Sequence, residues 1–109
     1  MVSPTRFEVY LVNLDPTIGS EINKTRPCVV VSPDDLNNSS LNTIIVAPMT
    51  TKFKHYSFRV NLRFEGKPAQ VALDQLKTVN RQRLKKKLNP LTLHEGKEIL
   101  SILQEMFAI

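Results

Sequence analysis

The chain contains little of what metal centres, disulfide frameworks and nucleotide-binding loops are made from. Its 109 residues include one cysteine, two histidines, three glycines and no tryptophan. The lone Cys28 excludes an internal disulfide, and no two soft ligands have the spacing of a zinc site. Three glycines leave no Gly-rich loop for a phosphate, and the G-x-S-x-G and H-E-x-x-H motifs are missing. We therefore expect no metal and no other cofactor.

Long apolar runs are also missing. No segment approaches the roughly 20 apolar residues that cross a bilayer, and the first ten residues, MVSPTRFEVY, lack the apolar core of a secretory signal. A single cysteine fits a reducing compartment, so we expect a cytoplasmic protein with no membrane partner. The length predicts a single domain, residues 1–109, with a modest core to which a dimer interface would add buried surface.

Positive charge is abundant and unevenly distributed. Fifteen Lys and Arg residues outnumber ten Asp and Glu residues, which gives a net charge of +5, and residues 36–91 hold eleven bases against two acids. A local excess of this size favours a polyanionic partner, with nucleic acid as the leading candidate. A solvated basic surface without a partner explains the charge equally well.

The apolar segments are short and are separated by Pro, Gly, Asn and Asp, which is typical of strands joined by turns. Strands are predicted at residues 7–14, 28–32, 43–49 and 56–64, with one or two more within residues 69–79. Residues 35–42 are predicted to form a polar turn or loop, and residues 80–87 a basic segment with one helical turn. Cys28 opens a continuous apolar run and is predicted to be buried rather than reactive. Pro48 predicts a bulge, an edge or a bend in the third strand.

One helix is predicted at the C-terminal end. Thr92 and Glu95 have the spacing of a capping box, in which each side chain accepts a hydrogen bond from a backbone N–H near the helix start. The residues that follow form a wide apolar stripe of Leu93, Ile99, Leu100, Ile102, Leu103, Met106 and Phe107. Several short strands followed by one packed helix indicate a mainly β or α+β fold, built as a small, strongly curved sheet or half-open barrel.

Residues 19–27, GSEINKTRP, concentrate polar groups between two apolar runs. Arg26 and Pro27 lie just before the second predicted strand, and Thr50 and Thr51 directly follow the third. If these strands are neighbours, the guanidinium and a hydroxyl group meet at one rim of the sheet, where they suit a phosphate.

The same groups suit cleavage of RNA by its own 2′-hydroxyl. Arg26 would stabilise the added negative charge, and Glu21 would accept a proton. A structural salt bridge between Glu21 and Arg26 explains their spacing equally well.

Three segments of the chain resemble signatures of the MazF/PemK family of toxin endoribonucleases. They are residues 14–34 (LDPTIGSEINKTRPCVVVSPD), 43–51 (TIIVAPMTT) and 72–84 (ALDQLKTVNRQRL). The resemblance covers most of the chain, in the family's order and spacing. It implies a small, Src-homology-three-like curved β-barrel with a C-terminal α-helix, assembled as a homodimer. The implied activity is cytoplasmic, sequence-specific, metal-independent cleavage of single-stranded mRNA to 2′,3′-cyclic phosphate and 5′-hydroxyl ends.

The resemblance also assigns site residues. The family's catalytic arginine and threonine fall on Arg26 and Thr50, and its loop glutamate falls on Glu21. Its Asp-Gln pair, near the RNA groove, falls on Asp74 and Gln75. Further candidates for RNA contact are Ser20, Lys24, Thr51, Lys52, Lys54, Lys77 and Arg83. Because Thr51 follows Thr50, either could be the catalytic threonine. A cognate antitoxin would insert an acidic, disordered tail into the groove.

Some features depart from the family pattern. Phe7 stands where the family commonly has glycine, which leaves the conformation of the first turn open. The lysines at positions 85–87 exceed the pattern, and we interpret them as solvated surface in preference to added RNA contact. Arg59 and Arg63 share a predicted strand face and could mark a dimer rim. Two alternatives to a nuclease remain: a DNA gyrase poison, which does not need the Arg26 and Thr50 pair, and a non-catalytic RNA-binding relative.

Overall fold

Seven antiparallel strands and a C-terminal helix make up the fold in a computed structural model, which describes residues 3–109. The strands are β1 (Val9–Asn13), β2 (Thr25–Val30), β3 (Thr43–Thr50), β4 (Arg59–Phe64), β5 (Lys67–Ala72), β6 (Lys77–Asn80) and β7 (Leu84–Lys87). The helices are α1 (Asp34–Asn37) and α2 (Leu93–Met106), with 3-10 turns at Leu73–Gln75 and Arg81–Arg83. The predicted fold class, a mainly β protein with a C-terminal helix, is confirmed.

The strands hydrogen-bond in the order β4-β5-β3-β2-β1-β7, and β6 pairs with β3. One edge of β3 has two partners in succession, because Val46 is opposite Lys77 of β6 and Met49 is opposite Val71 of β5. Pro48, which has no N–H to donate, lies at this changeover. The sheet is not closed between β4 and β7 within residues 3–109, so it has the half-open, curved form that the sequence predicts.

The central strands are buried on both faces because successive side chains point to opposite sides of a sheet. Val9, Val29 and Val71 face one apolar cluster, which α2 covers with the fully buried Ile99. Cys28 faces a second cluster on the other side and is also fully buried. The buried position that the sequence predicts for Cys28 is confirmed.

The start of α2 is the capping box that the sequence predicts. Thr92 Oγ1 accepts from the Glu95 N–H (3.1 Å), and Glu95 Oε1 accepts from the Thr92 N–H (2.9 Å). The buried stripe of this helix is narrower than predicted. Leu93 and Phe107 are exposed, whereas the middle of the helix packs on the core.

Three local predictions need correction. Residues 84–87 form strand β7, paired with β1, and only residues 81–83 form the helical turn predicted there. Strand β4 begins at Arg59 instead of Tyr56, and the Tyr56 and Phe58 rings stack on each other before it, 5.0 Å apart. The predicted loop at residues 35–42 contains most of the short helix α1. In the first case a contact distant in sequence, the pairing with β1, decides the outcome.

Phe7 adopts the turn conformation that a glycine would adopt. Its φ is +74°, in the left-handed region that few residues other than glycine occupy. Its N–H donates to the Val30 carbonyl (2.8 Å), and its carbonyl accepts from the Leu91 N–H (3.0 Å). The ring lies on Gly96 of α2, where an added Cβ would stand 2.5 Å from it. Phe7 therefore occupies a turn of the kind that glycine favours, and its phenyl ring joins this turn to the helix.

Candidate active site

Strand pairing places Arg26 beside Thr50. Cys28 of β2 is opposite Pro48 of β3, the last pair of this ladder. Arg26 and Thr50 each lie two residues beyond that pair along their strands, and both line the same cleft. Thr50 is in turn opposite Gln70 of β5. Directly opposed residues of antiparallel strands point to the same face of the sheet. Arg26, Thr50 and Gln70 therefore form one row across three strands, and the arginine and the threonine meet as the sequence predicts.

A cleft of about 300 Å³ opens over this row, and we call it the Arg26 cleft. Its walls come from the β1–β2 loop, the end of β3 with the loop after it, the start of β4 and the turn after β5. The lining residues are Gly19, Ser20, Glu21, Ile22, Asn23, Arg26, Thr50, Thr51, Lys52, Lys54, Arg59 and Gln75. The structure thus brings together all three predicted catalytic residues and five of the predicted RNA contacts: Ser20, Thr51, Lys52, Lys54 and Gln75.

Arg26 is half-buried and held at two points. Pro27 restricts the backbone on one side, and the arginine Nε donates to the Asn23 carbonyl (3.0 Å). Within residues 3–109 no carboxylate lies in ion-pair distance of Arg26, so the salt bridge with Glu21 does not form. The two terminal nitrogens can therefore serve an anion in the cleft.

Glu21 and Thr50 each use part of their hydrogen-bonding capacity within their own loop. Glu21 Oε1 accepts from the Ile18 N–H (2.6 Å) across the turn at Gly19, whose φ is +58°. Thr50 Oγ1 accepts from the Lys52 N–H (3.0 Å). This arrangement leaves one carboxylate oxygen of Glu21 as an acceptor and the hydroxyl hydrogen of Thr50 as a donor.

Gln75 fixes the β1–β2 loop against the 3-10 turn. Its Oε1 accepts from the Ile22 N–H (2.6 Å), and its Nε2 donates to the Ser20 carbonyl (3.3 Å). The neighbouring Asp74 lies on the other side of that loop, in a cavity of about 420 Å³ that it lines with Lys77. Lys77 Nζ donates to the Leu14 carbonyl (3.0 Å). Asp74 and Lys77 therefore adjoin the Arg26 cleft without lining it.

Lys24 and Arg83 also lie outside the lining of the Arg26 cleft. The Lys24 N–H donates to Asp15 Oδ1 (3.0 Å), with a φ of +66° at the lysine. Arg83 Nη1 donates to the carbonyl oxygens of Asn13 (3.0 Å) and Asp15. Both residues brace the beginning of the β1–β2 loop. Contact of these two residues with RNA stays a prediction, and their place outside the cleft does not favour it.

Cys28 lies behind Arg26 and takes no part in the cleft. Its thiol donates to the Arg26 carbonyl over 3.5 Å, and burial raises the pKa of this thiol to about 12. A neutral thiol is neither a nucleophile nor a metal ligand. Within residues 3–109, no group of three His, Cys, Asp or Glu side chains is placed to hold a metal ion. The described helices are also too short or too polar to cross a membrane.

A family model described as "PemK-like, MazF-like toxin of type II toxin-antitoxin system" matches residues 5–107. The chain belongs to the PemK/MazF toxin family.

Individual relatives agree with this family assignment. The chain is 32% identical, over 100 aligned residues, to Endoribonuclease MazF of Staphylococcus saprophyticus, which covers 86% of this chain and 82% of that protein. The fold is similar to that of MazF from Deinococcus radiodurans, with a TM-score of 0.85 at 23% identity over the whole of both chains. It is also similar to a mycobacterial endoribonuclease solved in complex with its cognate antitoxin, with a TM-score of 0.78 at 19% identity over 94% and 92% of the two chains.

Arg59 and Gln70 belong to the site, although the sequence does not predict either of them as a site residue. The Arg59 side chain is 4% exposed, lines the Arg26 cleft and binds both Asp74 oxygens, one of them through Nη2 at 3.0 Å. The sequence suggests a dimer rim for this arginine. The structure places it in the lining of the Arg26 cleft, and the dimer rim stays a prediction. Gln70 is fully buried beside Thr50. Its one signal in the sequence is an amide inside the apolar run at residues 69–73.

Proposed function

We propose that this toxin is a sequence-specific, metal-independent endoribonuclease that cleaves single-stranded mRNA in the cytoplasm and so inhibits translation. The observation that carries the proposal is the pairing of Arg26 with Thr50 at one cleft of a PemK/MazF fold. A relative at 32% identity bears the name Endoribonuclease MazF. The cleft lining contains four basic side chains and one carboxylate, which suits a phosphate chain.

In the proposed reaction the RNA supplies its own nucleophile. The 2′-oxygen attacks the adjacent phosphorus, the bond to the 5′-oxygen breaks, and a 2′,3′-cyclic phosphate and a 5′-hydroxyl result. Arg26 offsets the charge that builds on the phosphate oxygens, and Thr50 donates a hydrogen bond to one of them. The second oxygen of Glu21 accepts the proton of the 2′-hydroxyl.

The leaving 5′-oxygen also needs a proton. The lining of the Arg26 cleft includes no His, Cys or Tyr, and a guanidinium group holds its proton too tightly to act as a good acid. We therefore assign this proton to water in the open cleft. This assignment gives Arg26 an electrostatic role throughout the reaction.

The proposed partners follow from the same cleft. An antitoxin with an acidic C-terminal tail would place its carboxylates against Arg26, Lys52 and Lys54 and compete with RNA. A second copy of the chain, related by twofold symmetry, would lengthen the groove in a homodimer. Residues 1–109 would act as the single toxin domain of each copy.

The experiment is cleavage of a long RNA in the presence of EDTA. We expect fragments whose 5′ ends accept phosphate from a kinase without prior dephosphorylation. Arg26→Ala should lower the rate by a factor of about 10² to 10³, as for other residues that stabilise a developing negative charge, while circular dichroism stays unchanged. Arg63→Ala is the matched control, because Arg63 donates to the Gly66 carbonyl within the β4–β5 hairpin.

Two results would contradict the proposal. Wild-type cleavage by Arg26→Ala would show that the arginine has no catalytic role. Intact RNA after incubation with the wild-type protein would favour the alternatives, a gyrase poison or a non-catalytic RNA-binding protein. A gyrase supercoiling assay and an RNA-binding assay then separate those two.

A further inference from the structure

Gln70 occupies the third place in the row of Arg26 and Thr50, yet it is 1% exposed. A side chain so deeply covered does not contact a substrate in the cleft. Its Oε1 accepts from the Lys54 N–H (3.1 Å) and from Arg59 Nη1 (3.2 Å). Its Nε2 donates to the Lys54 carbonyl (2.9 Å) and to Asn61 Oδ1 (2.8 Å). All four hydrogen-bonding positions of the amide are therefore used.

The two bonds to Lys54 hold a loop that has no strand partner. Residues 51–58 connect β3 to β4, and Lys54 lies near the middle of this loop. Gln70 binds both the N–H and the C=O of Lys54, as a neighbouring strand would. The loop carries Thr51, Lys52 and Lys54 to the wall of the Arg26 cleft. The buried amide of Gln70 thus fixes the position of the β3–β4 loop in the wall of the cleft.

Arg59 extends the network to the opposite wall. It binds Gln70 through Nη1 and both oxygens of Asp74 through Nε and Nη2. Asp74 is followed by Gln75, which holds the β1–β2 loop at Ser20. The two loops that form the cleft are consequently joined by hydrogen bonds from Lys54 to Asp74 and from Gln75 to Ser20, with the backbone linking Asp74 to Gln75. Such a network holds its members in a single arrangement when every bond is made.

We propose that Gln70 is a positioning residue for RNA binding, which sets the β3–β4 loop and Arg59 so that the lysines of that loop face the phosphate chain. The proposal depends on the function proposed above. It also depends on the residue type, because Lys54 requires an acceptor and a donor at the same point. A glutamine has both, whereas a glutamate has only acceptors and a leucine has neither.

The first test uses the protein alone. Gln70→Leu should accelerate backbone hydrogen exchange at Lys54 and its loop neighbours on the order of tenfold or more, since the loop then opens locally. Gln70→Glu keeps the acceptor but loses the donor, and should give an intermediate rate. Val71→Ala is the control, because Val71 is the next β5 position and is fully buried on the other face of the sheet. Equal exchange in Gln70→Leu and Val71→Ala would overturn the proposal.

The second test measures the binding and the cleavage of RNA. Binding of a non-cleavable 2′-fluoro single-stranded RNA should weaken on the order of tenfold in Gln70→Leu, because each lost charge-assisted contact has a sizeable share of the affinity. The KM for cleavable RNA should rise more than kcat falls, and Gln70→Glu should recover part of both losses. The RNA affinity and the KM should not change for Val71→Ala at a temperature where the variants are folded.

The outcomes separate the two proposals. A loosened loop with unchanged RNA affinity and KM would refute the positioning role while leaving the nuclease intact. A wild-type protein that binds RNA without cleaving it would refute the nuclease. In that case, loop exchange and 2′-fluoro RNA affinity still decide the role of Gln70.

Discussion

Cys28 shows how a residue behind a reactive group can be purely structural. Its thiol is fully buried, and burial raises its pKa from an ordinary value of 9.0 to about 12 against the opposing effect of the Lys77 charge. The thiol therefore stays protonated at neutral pH. It packs the second apolar cluster and supports the backbone from which Arg26 extends.

Because of this raised pKa, the protein should become less stable as the pH becomes alkaline. Above about pH 9 the unfolded chain loses the thiol proton while the folded chain keeps it, so the free energy of unfolding falls as pH rises, by at most about 1.4 kcal/mol per pH unit for one group. Tyr10, whose pKa burial and Glu8 raise to about 12, acts in the same direction above its ordinary value of 10.0. In urea titrations at increasing alkaline pH, the free energy of unfolding of Cys28→Val should fall less steeply than that of the wild type. Parallel declines would contradict the assignment.

The site residues that the sequence predicts well are those whose place follows from strand order. Arg26 and Thr50 adjoin apolar runs, so strand pairing alone brings them together. Arg83 is 70 positions from Asn13, whose carbonyl it binds. The sequence shows that Arg83 carries a positive charge, but it does not show which groups its side chain contacts. The place of Arg59 likewise depends on Asp74, 15 positions away, and local patterns do not report such contacts.

The contact between the first turn and α2 joins two elements that the sequence treats separately. A residue other than glycine at positive φ carries a conformational cost of about 1 to 3 kcal/mol. Phe7 has this unfavourable conformation, with a φ of +74°, and its ring lies on Gly96. The glycine in the helix therefore provides room for the ring, and the ring adds buried surface to the helix contact.

Gly96→Ala should consequently destabilise the protein, although alanine is the better helix former by up to about 1 kcal/mol. The added methyl group would stand 2.5 Å from the Phe7 ring, and overpacking of this kind costs about 1 to 3 kcal/mol. The measurement is the free energy of unfolding in urea. Ser101→Ala, at an exposed position of the same helix, is the control and should leave stability unchanged or slightly higher.

A double-mutant cycle shows whether the ring is responsible. Phe7→Gly removes the ring and suits the positive φ, so Gly96→Ala should cost nothing further in that background. An equal loss in both backgrounds would assign the effect to the helix backbone instead.

Among the elements, α2 was predictable and β7 was not, for a physical reason. The capping box of α2 is a contact between residues three positions apart, so the sequence contains it directly. Strand β7 has three exposed residues out of four and exists because it pairs with β1, over 70 positions earlier. Strand formation depends on such neighbours more than on intrinsic preference. The aromatic alternation at Tyr56 and Phe58 was misleading because ring stacking, not strand pairing, holds these residues.

At the scale of the whole molecule, the folded chain separates two groups of basic residues. Lys52, Lys54 and Arg59 line the Arg26 cleft, whose row of residues spans β2, β3 and β5. The lysines at positions 85–87 lie on β7, at one end of the strand order. All three are exposed, and Lys87 also pairs with Glu8 at 2.6 Å. Lysines on an end strand also discourage pairing with other chains.

This separation predicts different salt dependences for two double variants of equal charge. Each lysine that contacts a phosphate contributes about 0.7 to the slope of log affinity against log salt for a single strand. Lys52→Ala/Lys54→Ala should lower that slope by about 1.4, whereas Lys85→Ala/Lys86→Ala should leave it unchanged. Fluorescence anisotropy with labelled 2′-fluoro RNA over a series of potassium chloride concentrations measures both. Equal losses of slope would place β7 in the RNA groove and would show that the basic surface is continuous from the cleft to the end of the sheet.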